Sequence, residues 1–235
     1  MNDLLRFFNN LANGLLSLVY PTLCEGCNKP LTHTEEVLCI GCEHILTGTP
    51  VLITDNNEAE LRLAGRLPFA HGAAFATFTE DSLLQHLVHG LKYKNKKKNG
   101  LYLGRIWGLQ LKNAPWIGEI NAITVVPLHK KKEQKRGYNQ SVLIARGIAE
   151  ATGIPLYTDI IERVRNTESQ TKKSRTERIK NMADAFTLAS NCPLKEGHIL
   201  LCDDVLTTGA TLESCAKTLL AAGHYKVSFT TIGIA

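Results

Sequence analysis

Residues 198–211 read HILLCDDVLTTGAT, and this stretch decides the fold that we expect. Five residues of buried-strand type, 198–202, precede two adjacent carboxylates, Asp203 and Asp204, and a loop of small hydroxyl residues around Gly209. A helix is predicted over 211–222 and closes at Gly223. The order of strand, polar loop and helix is typical of parallel α/β sheets, which bind ligands at the carboxyl ends of their strands.

From residue 65 onward, predicted strands alternate with predicted helices along the chain. Apolar or alternating runs predict strands over 73–78, 122–126 and 225–234, and helical spacing predicts helices from residue 81 and over 138–151. Residues 43 to about 65 are turn-rich. We therefore predict an α/β domain over 65–235, with a parallel sheet that is covered by helices on both faces.

The loop after the acidic pair has the donors that an anion needs. Gly209 lets backbone amides approach a phosphate, Thr207, Thr208 and Thr211 add hydroxyl groups, and the next helix contributes its positive dipole end. The two aspartates accept hydrogen bonds from hydroxyls or hold a divalent cation. A phosphorylated ribose with a metal-bound diphosphate carries the phosphate, the hydroxyls and the cation that these groups would bind. A turn without a ligand is the alternative, and the sequence lacks the glycine motifs of P-loop and dinucleotide-binding proteins.

Four of the seven cysteines fall within 19 residues. Cys24 and Cys27 form one Cys-x-x-Cys pair, and Cys39 and Cys42 form a second pair eleven residues later. Two such pairs bring four thiolates to one tetrahedral Zn²⁺, and a closed four-sulfur site is structural. We predict a zinc-binding module over 21–48; an iron–sulfur cluster, a redox role and disulfides are the alternatives.

The N-terminal residues 1–20 have apolar side chains at helical spacing, which predicts an amphipathic helix. Contact with a membrane surface is the alternative role for this helix. The sequence has no apolar stretch long enough to span a membrane, and Asp3 argues against a secretory signal. We therefore expect a cytoplasmic protein.

Positive charge is concentrated in three segments. Residues 92–98, 129–136 and 163–180 carry net charges of +5, +4 and +5 in a chain of net charge +5, so the rest of the chain is acidic. If the segments converge, they form a site for phosphate esters or nucleic acid. Separate solvated loops or helix faces are the alternative.

Two of these segments supply candidate site residues. Arg136, Tyr138 and Asn139 begin the helix after the strand that ends at Val126, and so we expect them on the acceptor or diphosphate side of the site. Asn139 as a helix cap is the alternative. The polar segment from Arg163 to Arg178 suits a lid that orders on ligand binding, or else a solvated helix of alternating charge.

The nine residues of the loop stretch resemble the 5-phosphoribosyl-1-diphosphate (PRPP) signature of type I phosphoribosyltransferases: Asp203, Asp204, Val205, Leu206, Thr207, Thr208, Gly209, Ala210 and Thr211. The wider pattern resembles the ComF family of competence-associated, phosphoribosyltransferase-like proteins. Its matching positions are Pro21 with the four cysteines, 91–93, 127–129, 136–141, Arg163, Gln170, Arg175, Arg178, Asn181 and Phe186.

The resemblance implies a type I phosphoribosyltransferase fold after the zinc module. It implies that Asp203 and Asp204 contact the ribose hydroxyls, directly or through Mg²⁺, and that residues 207–211 hold the 5′-phosphate. Arg163, Arg175 and Arg178 would belong to a hood that closes over the diphosphate. It also implies a role in DNA uptake during natural transformation, with a helicase of the competence machinery as a partner.

Two classes of function follow. The first is a PRPP-binding protein of DNA uptake that also binds single-stranded DNA. The second is an active Mg²⁺-dependent phosphoribosyltransferase of nucleotide metabolism, similar to amidophosphoribosyltransferases. The ligand is PRPP or a phosphoribosyl nucleotide in both, and the sequence leaves open whether catalysis is retained.

Overall fold

The structure is a computed structural model, and it describes residues 21–128, 130–164 and 185–235. The predicted helix over 1–20 and most of the basic segment 163–180 lie outside the described residues. The chain divides into two compact units, Met1–Gly48 and Thr49–Ala235.

The described part of the first unit forms tight turns around a buried cysteine. Cys24 is fully buried, and its carbonyl accepts a hydrogen bond from the amide of Asn28, which has a φ of 59°. Helix α1 (Ile40–Thr47) begins directly after Cys39. The Glu35 carboxylate accepts hydrogen bonds from the Thr32 amide at 2.7 Å and the Ile40 amide at 2.8 Å, and so fixes the entry to the helix.

The described residues of the second unit form six strands: β1 (Gly72–Thr77), β2 (Ala122–Val125), β3 (Ile161–Arg163), β4 (Phe186–Leu188), β5 (Gly197–Leu206) and β6 (Tyr225–Ile234). Four of them make a parallel sheet in the order β1–β6–β5–β2, and β3 and β4 form a separate antiparallel pair. Strand β6 is buried except at Lys226, and β5 is buried over 198–202 and at Leu206, as expected for the central strands of a parallel sheet that is covered on both faces.

Helices cover both faces of this sheet. In chain order the second unit contributes α2 (Glu58–Leu63), α3 (Leu83–Tyr93), α4 (Lys97–Leu111), α5 (Lys130–Arg136), α6 (Gln140–Thr152) and α7 (Ala210–Ala221). Helices α4 and α6 pack together on one face, and Trp107 of α4 donates a hydrogen bond to Thr230 at 2.7 Å. Helices α2 and α7 share a core with Ile199, Leu201 and Phe229, which point to the other face. The predicted α/β architecture is confirmed.

The close packing of α4 and α6 depends on glycine. A Cβ atom at Gly104 would lie 2.1 Å from the carbonyl oxygen of Ile144, and one at Gly147 would lie 2.3 Å from that of Leu101. Only a residue without a side chain allows the two backbones to approach so closely. This packing holds α6 beside α4 on one face of the sheet.

Several predicted boundaries differ from the structure. The region predicted to be turns contains most of α1 and all of α2, and α4 was not predicted. Strand β5 continues to Leu206, so that both aspartates belong to the strand and not to the loop after it. Arg136 was expected to begin the helix after β2, which is wrong: it ends α5, Gly137 turns the chain with a φ of 76°, and α6 begins at Gln140.

Candidate functional site

The loop after β5 lies at the carboxyl edge of the parallel sheet. It joins Leu206 to α7, and Gly209 caps that helix in a left-handed conformation with φ of 71°. A Cβ atom at Gly209 would lie 2.5 Å from the Leu63 side chain, so both the backbone conformation and the packing require glycine. The predicted loop is therefore placed where ligands bind in open α/β sheets.

Two arginines, Arg62 in α2 and Arg66 just after it, bind carbonyl groups of this loop. Arg62 donates a hydrogen bond to the Thr207 carbonyl at 3.3 Å, and Arg66 donates one to the Thr208 carbonyl at 2.7 Å. In a trans peptide the next N–H points away from the carbonyl. The amides of Thr208 and Gly209 thus face away from the arginines, and no described residue accepts a hydrogen bond from them. These two donors remain available to an anion.

The loop surrounds a recess of phosphate size. Asp203 and residues 205–212 line a volume of about 40 Å³. At about 10–15 Å³ for each water, this is room for roughly three waters. The recess therefore fits one phosphate group, and the rest of a phosphorylated sugar has to lie outside it, beside the aspartates.

Asp203 is held by the start of α6. Its Oδ1 accepts a hydrogen bond from Ser141 Oγ at 3.0 Å and another from the amide of Asp204 at 2.9 Å. Asn139 fixes Ser141, because its side chain accepts from the Ser141 amide at 3.0 Å and donates to the Val126 carbonyl at 3.0 Å. Asn139 is thus a buried helix cap, and its expected place on the acceptor side stays a prediction.

The environment of Asp203 favours its protonated form. Burial, followed by repulsion from Asp204, raises the pKa of Asp203 to about 7, while hydrogen bonds from Asp204 and Ser141 and the charge of Lys92 act in the opposite direction. A hydroxyl donor or a cation that approaches Asp203 stabilises its ionised form, so this position favours the binding of such a group.

Asp204 has a cation as its partner. Lys92 Nζ, in the last turn of α3, lies 2.9 Å from Asp204 Oδ2, and the two side chains are 21% and 16% exposed. Lys92 belongs to the predicted basic segment 92–98, and the structure brings it across the sheet edge to the acidic pair.

The first two basic segments meet beside the acidic pair. They line a cavity of about 320 Å³ formed by Lys92, Tyr93, Asn95, Lys132, Lys135, Arg136 and Tyr138. The Arg136 guanidinium lies 5.5 Å from the ring centre of Tyr93, and Lys97 Nζ lies 5.0 Å from that of Tyr138. The structure therefore joins Arg136 and Tyr138, two predicted acceptor-side residues, with Lys92 in one basic cavity.

Only part of the predicted hood is described. Arg163 ends β3, its guanidinium lies 5.3 Å from the ring centre of Phe186 on β4, and burial lowers its pKa. Arg175 and Arg178 lie outside the described residues. The role of the hood stays a prediction.

The contacts of four residues that shape the site were not predicted from the sequence. Arg62, Arg66 and Ser141 position the loop and Asp203, and Lys92 pairs with Asp204. Ser141 and Lys92 stand in stretches that match the family pattern, so their positions carried a signal although their contacts did not. No local pattern marks Arg62 and Arg66 as residues of the site, because the loop carbonyls that they bind lie far away along the chain.

The four predicted cysteines of the first unit converge. One sulfur from each lies within 4.8 Å of the others, and the Sγ atoms of Cys27 and Cys39 are 3.6 Å apart. Tetrahedral zinc with Zn–S bonds of about 2.3 Å separates its sulfurs by roughly 3.8 Å, so the cluster fits this ion.

The surroundings of the Cys24 thiol favour its ionised form. Burial opposes its ionisation, but hydrogen bonds from backbone amides, among them Cys39 at 3.2 Å and Gly26 at 3.4 Å, outweigh burial and lower its pKa to about 6. A thiolate is the form that binds metal.

A second cavity lies at the opposite edge of the sheet. It measures about 460 Å³, and His71 stacks on Trp116 in its wall with ring planes 3° apart. None of the predicted site residues lines it. Ligands of parallel sheets bind at the carboxyl ends of the strands, and this cavity lies at the amino ends.

Comparisons with known proteins identify relatives of this chain. The chain is 32% identical over 217 residues to the DNA utilization protein YhgH of Salmonella typhimurium, covering 88% of this chain and 94% of that protein. It is 32% identical over 144 residues to competence protein F of Haemophilus influenzae, covering 60% of this chain and 63% of that protein. Competence protein ComFC of Bacillus subtilis is 36% identical over 98 residues, with coverages of 42% and 38%. No protein-family model matches the chain.

Similar solved structures include two enzymes. Adenine phosphoribosyltransferase from Leishmania tarentolae has a TM-score of 0.40 and 13% identity, covering 69% of this chain and 91% of that one. Glutamine PRPP amidotransferase from B. subtilis has a TM-score of 0.37 and 22% identity, with coverages of 56% and 25%. Because these TM-scores are low, the fold assignment rests on the observed sheet topology and on the relatives by sequence.

The fold and the site define an α/β protein with a threonine-rich loop and an acidic pair at the carboxyl edge of a parallel sheet. The alignment with YhgH spans most of both chains. The chain belongs to the ComF family. No helix among its described residues has the length and apolar character needed to cross a membrane.

Proposed function

We propose that this chain binds PRPP, or a phosphoribosyl nucleotide, at the edge formed by Asp203, Asp204 and residues 207–211. The observation that carries this proposal is the pair of amides, Thr208 and Gly209, that face away from their arginine-bound carbonyls beside two carboxylates. The amides and the N-terminus of α7 bind the 5′-phosphate. The carboxylates accept hydrogen bonds from the ribose hydroxyls.

Mg²⁺ belongs to this proposal as the partner of the diphosphate. Carboxylate oxygens are hard ligands that suit Mg²⁺, and the acidic pair provides them at the sheet edge, so the residues fit the ion. Bound Mg²⁺ neutralises charge on a diphosphate. Asp203 and Asp204 would hold it, directly or through the ribose hydroxyls, while Lys92 adds a second positive charge at the same edge.

We expect Gly209→Ala to weaken PRPP binding at least about tenfold, because a left-handed alanine costs roughly 1–2 kcal/mol and displaces the loop amides. Isothermal titration calorimetry with PRPP and Mg²⁺ measures the effect. Gly223→Ala is the matched control: it places the same strain at φ of 80° at the far end of α7, with no atom within 4 Å of the new Cβ. Equal PRPP affinity for Gly209→Ala and wild type would contradict the proposed site.

The basic cavity supports a second part of the proposal, binding of single-stranded DNA. Lysines and an arginine line it together with Tyr93, which is 66% exposed and offers a ring for base stacking. The names of the relatives refer to competence and to DNA utilization. We propose a role in DNA uptake or use, in the cytoplasm, and this proposal includes the helicase partner that the family resemblance implies.

If the basic segments contact about six phosphates, the affinity for a thymidine oligonucleotide should fall with salt at a log–log slope near −4. Replacing Lys132 and Lys135 by methionine should reduce that slope by about 1.4, since each lost contact removes about 0.7. Fluorescence anisotropy across a salt series measures this. Lys195→Met, an exposed lysine that precedes β5, should leave the slope unchanged. A wild-type slope near zero would remove the DNA proposal.

Transfer of the phosphoribosyl group is the alternative function. The observation in its favour is Lys92, a cation beside the acidic pair, where it can offset charge on a departing diphosphate. Release of diphosphate from PRPP, with and without single-stranded DNA, separates an active transferase from a binding protein.

A further inference from the structure

Lys92 contacts two sites at once. Its ammonium group pairs with Asp204 at 2.9 Å, and its side chain also lines the basic cavity with Tyr93, Lys132, Lys135 and Arg136. Of the described residues it is the one that both pairs with the acidic doublet and lines this cavity. The two sites are therefore adjacent and share one positive charge.

The ammonium group of Lys92 can pair either with Asp204 or with a phosphate in the basic cavity, but not fully with both. An ammonium group that is 2.9 Å from a carboxylate, with both side chains mostly buried, is held more firmly than a surface ion pair. While it is held there, its charge is compensated by Asp204 and attracts a DNA phosphate only weakly. A ribose hydroxyl or a divalent cation that binds Asp204 competes with Lys92 for the same carboxylate oxygen.

The other cationic side chains of the cavity do not alternate between the acidic pair and the cavity. Arg136 donates a hydrogen bond to Gln140 at 2.9 Å and lies against the Tyr93 ring, while Lys132 and Lys135 are exposed on α5. None of these three pairs with the acidic doublet among the described residues. A change at Asp204 therefore reaches the cavity through Lys92.

We propose that Lys92 couples the two sites, so that occupation of Asp204 by the phosphoribosyl ligand or its cation releases Lys92 to bind a phosphate of single-stranded DNA. This inference rests on the proposed function. Coupling between two binding sites is reciprocal, so bound DNA must also favour the ligand at Asp204 by the same factor.

The test is a double-mutant cycle on the affinity of the zinc-loaded chain of 235 residues for a fluorescein-labelled thymidine oligomer of about 20 nucleotides. Asp204→Asn mimics an occupied carboxylate without adding metal or a competing polyanion, and should tighten DNA binding about fivefold. In the Lys92→Met background the same change should alter affinity less than about twofold. Such non-additivity is the signature of two residues that act through each other.

Two control variants separate this coupling from the general effect of charge. Lys94→Met removes an exposed lysine next to Lys92's helix end, and Asp204→Asn should keep its fivefold effect in that background. Glu133→Gln removes a negative charge from α5, and should have the same small effect with or without Lys92. Thermal melting of each variant verifies that it is folded.

Three outcomes are possible. A larger effect of Asp204→Asn with Lys92 present than without it supports the coupling. Equal effects in both backgrounds overturn the coupling and leave the proposed PRPP and DNA sites standing. If no variant binds the oligomer at low salt, both the coupling and the proposed DNA binding are overturned, while PRPP binding is judged by its own titration.

Discussion

A strong metal chelator should unfold the four-cysteine module and leave the parallel sheet folded. The described part of the first unit has few buried apolar side chains, namely Val37, Leu38 and Leu46 beside Cys24. So small a core cannot fold a segment of this length, whereas zinc bound by four thiolates contributes on the order of 10 kcal/mol to folding. Metal removal is the largest single change in stability that we expect in this protein.

Hydrogen–deuterium exchange with mass spectrometry measures this result region by region. After chelation, peptides from residues 21–48 should exchange rapidly, and peptides from β5 and β6 should keep their protection. Cys27→Ala should lose the metal and behave like the chelated protein. Cys192→Ala, which changes a cysteine outside the cluster, should keep both the metal and the protection. Simultaneous loss of protection in both units would show that the module is part of one cooperative structure with the sheet.

Replacing Asp203 by asparagine should weaken PRPP binding about 10- to 100-fold and at the same time stabilise the free protein. PRPP affinity falls because the substitution removes a charged acceptor of hydrogen bonds, which contributes roughly 1.5–3 kcal/mol to binding. Stability of the free protein rises because burial and the charge of Asp204, which together raise the pKa of Asp203, make the ionised carboxylate unfavourable there. Asparagine still accepts hydrogen bonds from Ser141 and from the Asp204 amide, so the start of α6 stays in place.

The stability gain has a definite pH dependence. The pKa of Asp203 is about 7 in the folded chain and near its ordinary value of 3.8 when unfolded, so the folded state binds the proton more tightly. Wild-type stability therefore falls as the pH rises from about 4 to about 7, and Asp203→Asn avoids this loss. We expect a gain of about 1–3 kcal/mol above pH 7 that disappears near pH 4.

Urea unfolding at pH 5 and pH 8, together with PRPP titrations, measures both effects. Asp159→Asn, at an exposed aspartate, is the control and should change neither stability nor affinity. A variant that is less stable than wild type at pH 8 would show that Asp203 is a stabilising ion-pair partner and not a carboxyl held at a cost for ligand binding.

The main elements of the sheet could be predicted because each depends on local patterns. Strand β5 begins with the apolar run over 199–202, β6 is rich in apolar and β-branched residues, and Gly153 ends α6 in a left-handed conformation, as a glycine after a helical stretch indicates. Helix α4 was missed for a physical reason. It begins in a run of lysines and contains Gly100, Gly104 and Gly108, which weaken a helical pattern but allow α6 to pack closely.

The site was only partly predictable. Residues 203–211 and the cysteine spacing mark their chemistry locally: the four cysteines converge, and residues 203–211 lie at the carboxyl edge of the sheet, where their ligand stays a prediction. The contacts of Lys92 with Asp204, Ser141 with Asp203, and Arg62 with the loop depend on elements that come together only in the fold. Side chains that pair across a sheet edge leave no periodic pattern in the sequence.

A crystal structure of the chain with PRPP and Mg²⁺ tests the central claim most directly. We expect density for the 5′-phosphate against the amides of Thr208 and Gly209, with the ribose hydroxyls beside Asp203 and Asp204. Density for the ligand at any other place, such as the cavity beside His71 and Trp116, with the threonine loop empty, would contradict the account.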